Sequence, residues 1–252
     1  MVTCYNIKGV SDEEIVYDET VMQEVVEEID SLYIDKIYGL ANRVIAEGAA
    51  SMFISKYNGE ADYNPSVDDA TFDCVKESEK FEETLNDVKL HGLKICKEDL
   101  PWIWGSLIHD AIDNINVQGT TYRSGIACSK SPVQQDPLKI GDSMNDLYEF
   151  NLRFHANPFI KACIIHFYVL YIAPFCDGNG RLARFMSGMV MLDTGYRFMA
   201  DQCICTSILI SGVKDYYDSF YSCIMPNKDG VIDITKFIMY MLNTYKDYLE
   251  RV

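Results

Sequence analysis

Ala173-Pro174-Phe175-Cys176-Asp177-Gly178-Asn179-Gly180-Arg181-Leu182-Ala183-Arg184 places a carboxylate, a turn of small residues and two arginines within twelve positions. Pro174 disfavours helical geometry at Ala173, so the apolar segment before it stops there. From Arg181 to Leu192 apolar residues recur at Leu182, Phe185, Met186 and Met189, the spacing of a helix face. The turn Asp177 to Gly180 therefore sits at a helix N-terminus, where backbone N–H groups lack intrahelical partners and the helix dipole is positive. Such a turn favours an anion, and its glycines let anionic oxygens approach the backbone. Arg181 and Arg184, three residues apart on one helix face, each carry a guanidinium suited to paired hydrogen bonds with phosphate. Asp177 offers the hard oxygen ligand that Mg²⁺ prefers. The stretch reads as a site for a magnesium-bound polyphosphate.

Taken alone, Asp177-Gly178-Asn179-Gly180 is also ordinary turn chemistry before a helix. A calcium loop is disfavoured, because the register that puts Gly180 at its invariant glycine leaves Phe175 at the first ligand position and Met186 at the last.

Asp-Gly-Asn-Gly-Arg-x-x-Arg preceded by Pro-Phe resembles the signature of the Fic family, whose members mostly transfer AMP from ATP to a hydroxyl side chain of a target protein. The resemblance extends over roughly residues 85 to 247. Tyr122-Arg123-Ser124-Gly125 is similar to the start of the family's flap hairpin, and His166 falls seven residues before Ala173. Asp215-Tyr216-Tyr217 and Asp233-Ile234-Thr235 resemble segments that close the nucleotide pocket and the helical core. The resemblance implies a mainly α fold, a Fic-type helical bundle with one short β-hairpin flap, and a protein adenylyltransferase that uses ATP and Mg²⁺. It assigns magnesium to Asp177, and the nucleotide to Phe175, Gly178, Asn179, Gly180, Arg181 and Arg184. Asp177, Asn179, Arg181 and Arg184 also serve the chemistry. Tyr217 lies against the adenine by the same likeness, although a tyrosine run such as Tyr216, Tyr217 and Tyr221 is more often simply core.

One position departs from the pattern. The family's motif begins with histidine, the general base that removes the proton of the attacking hydroxyl, and here Ala173 stands in its place. A base needs a lone pair and a pKa near neutrality, and alanine has neither. Losing a positioned base typically lowers the rate by about 10²- to 10⁴-fold, so the chain as it stands is expected to be an inactive His-to-Ala form. An engineered His-to-Ala change is favoured over a naturally inactive nucleotide binder because every other motif position is intact. The alternatives are a non-catalytic nucleotide-binding regulatory module, or a Fic-type enzyme that removes AMP or transfers another phosphate-containing group.

The 252 residues carry a formal charge of −16 and are 48% hydrophobic, enough for one large domain with a small extension. We expect an N-terminal helical extension over 1–70 and a Fic-like core over 71–252. The acidic field argues against nucleic acid or an anionic membrane as partner, while leaving a local arginine site intact. Nine cysteines form no C-x-x-C pair, and the start of the chain lacks a basic-then-apolar leader, which points to a cytoplasmic protein with reduced thiols. His91, His109, His155 and His166 show no metal-ligand spacing, and His166, in an apolar helix, reads as a hydrogen-bonded core residue.

Elsewhere helical spacing dominates: Asp12 to Phe53 (with Val16, Val21, Val25, Ile29, Leu32), then 71–90, 98–113, 143–154, 158–172, 208–221 and 232–249. Asn157 and Pro158 open the helix at 158 as cap and first turn. The run from Thr120 to Pro137 reads as a hairpin. By resemblance this is the flap, on whose Tyr122 to Ser129 a protein substrate docks as an added strand; an ordinary surface hairpin is the plain alternative. Self-modification and oligomer formation both stay open. Many Fic proteins also carry an inhibitory helix with Ser or Thr, three residues, then Glu and Gly or Asn. Arg43-Val44-Ile45-Ala46-Glu47-Gly48 has the Glu-Gly but an arginine at the first position. The likeness implies autoinhibition, with Glu47 pairing with Arg184 and competing with phosphate.

Overall fold

The computed structural model describes residues 2–5, 14–36, 47–56, 67–108, 122–125, 135–154, 157–224 and 230–252. Strands β1 (Val2–Tyr5) and β2 (Glu14–Asp18) precede helices α1 (Gln23–Lys36), α2 (Glu47–Lys56), α3 (Val67–His91), α4 (Leu100–Ile108), α5 (Ile140–Arg153), α6 (Pro158–Ile172) and α7 (Asn179–Asp193). Helices α8 (Arg197–Gln202), α9 (Ile204–Ser211) and α10 (Val213–Cys223), strand β3 (Val231–Asp233) and helix α11 (Thr235–Arg251) complete the chain. The fold is mainly α, as the periodicity predicts.

Helix α6 is the hub. Asn157 caps it, its Oδ1 accepting from Phe159 N at 2.9 Å and Ile160 N at 3.4 Å. Nearly every side chain of α6 is buried, the mark of a helix surrounded on all sides. Its neighbour α7 packs along it. Close approach is helped by small residues, and Ser187 Oγ donates to Ala162 O at 3.2 Å across the interface. One continuous apolar core joins these helices to side chains of β2, α1, α2 and α11.

Three readings of the sequence are corrected. Glu14 to Asp18 is strand, not the start of a long helix. Ile15, Val16 and Tyr17 are consecutive and all buried (2%, 8% and 1% exposed), which a central strand accommodates and an amphipathic helix does not. This strand pairs antiparallel with β1 and parallel with β3. The segment at 208–221 is two helices, broken at Gly212. The segment at 232–249 begins as β3 and becomes helical only at Thr235, whose N–H donates to Asp233 Oδ1 at 2.9 Å and whose Oγ1 accepts from Asp18 N at 2.8 Å. Of the hairpin expected over Thr120 to Pro137, only 122–125 and 135–137 are described, and the strands among the described residues lie elsewhere. No described helix is long and apolar enough to cross a membrane.

Helix α2 docks against α3 at Gly48, where an ideal Cβ would fall 2.6 Å from both Cα and O of Ser78. Backbone cannot yield as a flexible side-chain tip does. Gly48→Ala is therefore expected to lower the unfolding free energy by about 1–3 kcal/mol through overpacking. The check is a urea titration, with the midpoint shifting down; an unchanged midpoint would show that α2 and α3 can separate without loss.

Candidate functional site

The turn between α6 and α7 is held by side chains on its own backbone. Ala173 caps α6 in the left-handed region at φ 46°, a conformation that costs a non-glycine residue about 1 kcal/mol. Arg123 compensates by satisfying the helix-end carbonyls. Its Nε donates to Ala173 O at 2.7 Å and its Nη2 to Ile172 O at 3.2 Å and Gln135 O at 2.7 Å. Its own N–H donates to Pro174 O at 2.9 Å. The Tyr122–Gly125 segment is thereby tied to the first residues of the motif.

Further along, Asn179 clasps the backbone of Phe175. Its Oδ1 accepts from Phe175 N at 2.9 Å and its Nδ2 donates to Phe175 O at 2.8 Å. The Phe175 ring stacks on Trp104 at 4.3 Å with planes 10° apart, and Trp104 Nε1 donates to Asp177 O at 2.9 Å. Gly178, at φ 73°, caps the start of α7 where an ideal Cβ would meet Ile108 Cγ2 at 2.6 Å, so any side chain there is both strained and crowded. Asp177 is partly exposed, and its Oδ1 accepts from Gly178 N at 2.5 Å. The helix begins at Asn179, two residues earlier than the periodicity suggests, because the Asn179 clasp replaces the missing first turn.

The two arginines are claimed by different elements. Arg181, partly exposed, reaches the end of α4, its Nη1 donating to Leu107 O at 3.4 Å. Arg184 is 1% exposed, and its guanidinium lies against Gly180. There Nε donates to Ser51 Oγ at 3.0 Å, and Nη2 to Ser51 O at 2.8 Å and Ser55 Oγ at 2.5 Å.

Glu47 does not pair with Arg184, contrary to expectation. Its carboxylate accepts from Cys205 N at 2.6 Å, Thr206 N at 2.9 Å and Thr206 Oγ1 at 2.7 Å, capping the N-terminus of α9. The physical reason is that Glu47 opens α2 while Ser51 and Ser55, one and two turns on, are the residues that meet Arg184. Burial raises the Glu47 carboxyl above its usual range, against the lowering effect of these donors. Tyr217 also turns to this helix, its hydroxyl donating to Ile54 O at 3.1 Å. His166 is the buried, hydrogen-bonded core histidine that its setting implies, with Nε2 2.8 Å from the Tyr216 hydroxyl.

Sequence reasoning missed Trp104, Ser51 and Ser55. The i, i+4 pair of serines facing one way on α2 was the available signal, and nothing local marked Trp104.

Residues 107–191 match the model of the Fic/DOC family, a span that takes in Tyr122 to Gly125 and the whole motif. The chain has the Fic fold. It superposes on a Fic family protein from Desulfovibrio desulfuricans G20 with a TM-score of 0.68, at 19% identity over 90% of this chain and 72% of that one. Fic-1 from C. elegans gives 0.63 at 17% identity, over 92% and 72% of the two chains. A His-to-Ala variant of IbpAFic2, solved in complex with adenylylated Cdc42, gives 0.52 at 15% identity, over 89% and 70%. No curated protein matches the chain in sequence. Within this Fic fold the motif turn joins the two helices at the centre of the bundle.

Burial, and after it the Arg184 charge, hold the His166 imidazole well below the usual histidine value of 6.5. The unfolded chain takes up a proton there that the folded chain refuses. Stability present above that pH is therefore lost as pH falls, by at most about 1.4 kcal/mol per pH unit from this one group. His166→Gln, which keeps a polar partner for Tyr216 without titrating, should flatten the fall in melting temperature between about pH 7 and pH 5.5. Identical pH profiles for the two proteins would assign the acid sensitivity elsewhere.

Proposed function

We propose that this Fic fold is a protein adenylyltransferase site that has lost its base at Ala173. The observation that carries the reading is the retained frame around that one position. Arg123, Asn179 and Trp104 hold the turn, Gly178 sits where a side chain would be strained and crowded, and Arg184 is buried against Gly180 with Nη1 unpartnered among the described residues. A buried guanidinium nitrogen without a partner beside a helix N-terminus fits a polyphosphate. Asp177, half-exposed at the start of the turn, is the residue that would hold magnesium, which neutralises phosphate charge.

In this reading ATP lies along Gly178, Asn179 and Gly180, and Arg181 and Arg184 stabilise its charge. A hydroxyl oxygen of a target Ser, Thr or Tyr bonds to the α-phosphorus as the bond to the bridging oxygen breaks, and pyrophosphate leaves. The hydroxyl proton needs an acceptor at position 173, which alanine does not provide. The similarity to a His-to-Ala Fic structure holding adenylylated Cdc42 supports a protein target, and the tie between Tyr122–Arg123 and the motif supports docking beside the turn. Cys96, Cys163, Cys203, Cys205 and Cys223 carry free thiols, which agrees with a reducing compartment such as the cytoplasm.

One observation favours the second reading, a nucleotide-binding module without catalysis: the Ala173 side chain is fully buried, so a histidine there requires its neighbours to give way. Ala173→His decides between them. With α-labelled ATP and Mg²⁺, the histidine variant should label itself or a lysate protein at least about 10²-fold above the unaltered chain. ATP binding by both proteins with no labelling by either would establish the binding module instead.

A further inference from the structure

Arg184 is a cation without a counter-ion among the described residues. It is 1% exposed, and its hydrogen bonds to α2 end on neutral oxygens, the hydroxyls of Ser51 and Ser55 and the carbonyl of Ser51. No ion pair joins it to a carboxylate among those residues, in a chain that carries sixteen more negative than positive charges. Glu47, the acidic residue that opens α2, is committed to the N-terminus of α9. A buried, unpaired charge is expensive, and is retained where a partner arrives from outside. Nη1 faces Gly180, whose ideal Cβ would lie 3.3 Å from it, so the unpartnered donor is aimed at the first turn of α7. That turn supplies the positive end of a fifteen-residue helix.

We propose that Ser51 and Ser55 are positioning residues for Arg184. They fix the guanidinium through Nε and Nη2 without neutralising it, which leaves Nη1 and the full charge for the terminal phosphate of a nucleoside triphosphate. Ser55 is itself held, its Oγ lying 3.0 Å from Ser51 O, so the pair is a preformed clasp and not a loose contact. The consequence is opposite in sign to inhibition by a carboxylate. Helix α2 in this chain completes the phosphate site, and a carboxylate at position 55 would close it. This inference deepens the nucleotide reading above and rests on it for the identity of the ligand.

The test is calorimetric titration of the full chain, which cannot turn over for want of a base, with ATP, AMP and inorganic tripolyphosphate. Ser55→Glu, Ser55→Ala and Ser55→Thr are compared after thermal melts show which are folded. The unaltered chain should bind ATP more tightly than AMP. Ser55→Glu should weaken ATP by about tenfold or more while leaving AMP within about twofold, because the new carboxylate neutralises only the terminal-phosphate position. Ser55→Ala should weaken ATP by about fivefold, and Ser55→Thr should restore it, since the hydroxyl returns. A merely structural role would weaken ATP and AMP alike. That result, or equal affinity for ATP and AMP in the unaltered chain, overturns the proposal. If Ser55→Glu fails to fold, the Ala and Thr variants decide the same question. Tripolyphosphate binding that depends on Ser55, without binding of either nucleotide, would uphold the clasp and remove the adenine-nucleotide reading; binding of none of the three would remove both.

Discussion

Two apolar helices, α6 and α7, meet through a largely buried turn, and the backbone donors and acceptors at its buried positions must be satisfied away from water. Among the described residues, side chains do much of this. Asn179 takes both polar groups of Phe175, Arg123 takes the carbonyls that end α6, and Trp104 takes that of Asp177. An unsatisfied buried amide or carbonyl costs about 1–3 kcal/mol, so this sealing is as much a folding requirement as apolar burial. It also freezes the turn. The left-handed conformation at Ala173, the stack of Phe175 on Trp104 and the glycine that caps the start of α7 belong to a loop held by these described neighbours.

Rigidity of this kind suits a site that works by placing charge. The surrounding electrostatics are unusual for so acidic a chain. Its surface carries exposed ion pairs such as Lys94–Asp193 and Arg153–Glu149, each worth little in water. At the centre the pattern reverses: a carboxylate, Glu47, is spent on a helix N-terminus, and a guanidinium, Arg184, is surrounded by hydroxyls and carbonyls. Each buried charge is solvated by dipoles and not by an opposite charge. Dipoles of this kind stabilise an ion without cancelling its field, so the field of Arg184 still reaches Gly180 beside it.

Helix α2 shows how a motif can be right in its element and wrong in its register. The Glu47-Gly48 pair does mark a helix that lies against the motif, and Gly48 is needed there for close approach to α3. Yet the residues that touch Arg184 are four and eight positions further on. A pattern match fixes which residues are present. It does not fix the rotation and translation of the helix that carries them, which depend on how α2 packs against α3 and α9.

The sequence by itself determined the elements whose causes are local. Asn157-Pro158 opens α6, Pro174 closes it, glycines shape the turn, and the apolar period of α7 continues from it; these depend on backbone sterics and neighbouring residues, and all are visible in a dozen letters. The motif likewise carried the resemblance to the Fic family that residues 107–191 and the fold support. Tertiary structure decided the rest. Glu14 to Asp18 became a strand because β1 and β3 flank it, Glu47 went to α9 in place of Arg184, and Arg184 found Ser51 and Ser55, more than a hundred residues away. Those outcomes turn on which surfaces meet in space, where partners distant along the chain compete for the same hydrogen-bonding groups, and local residue patterns carry no record of that competition.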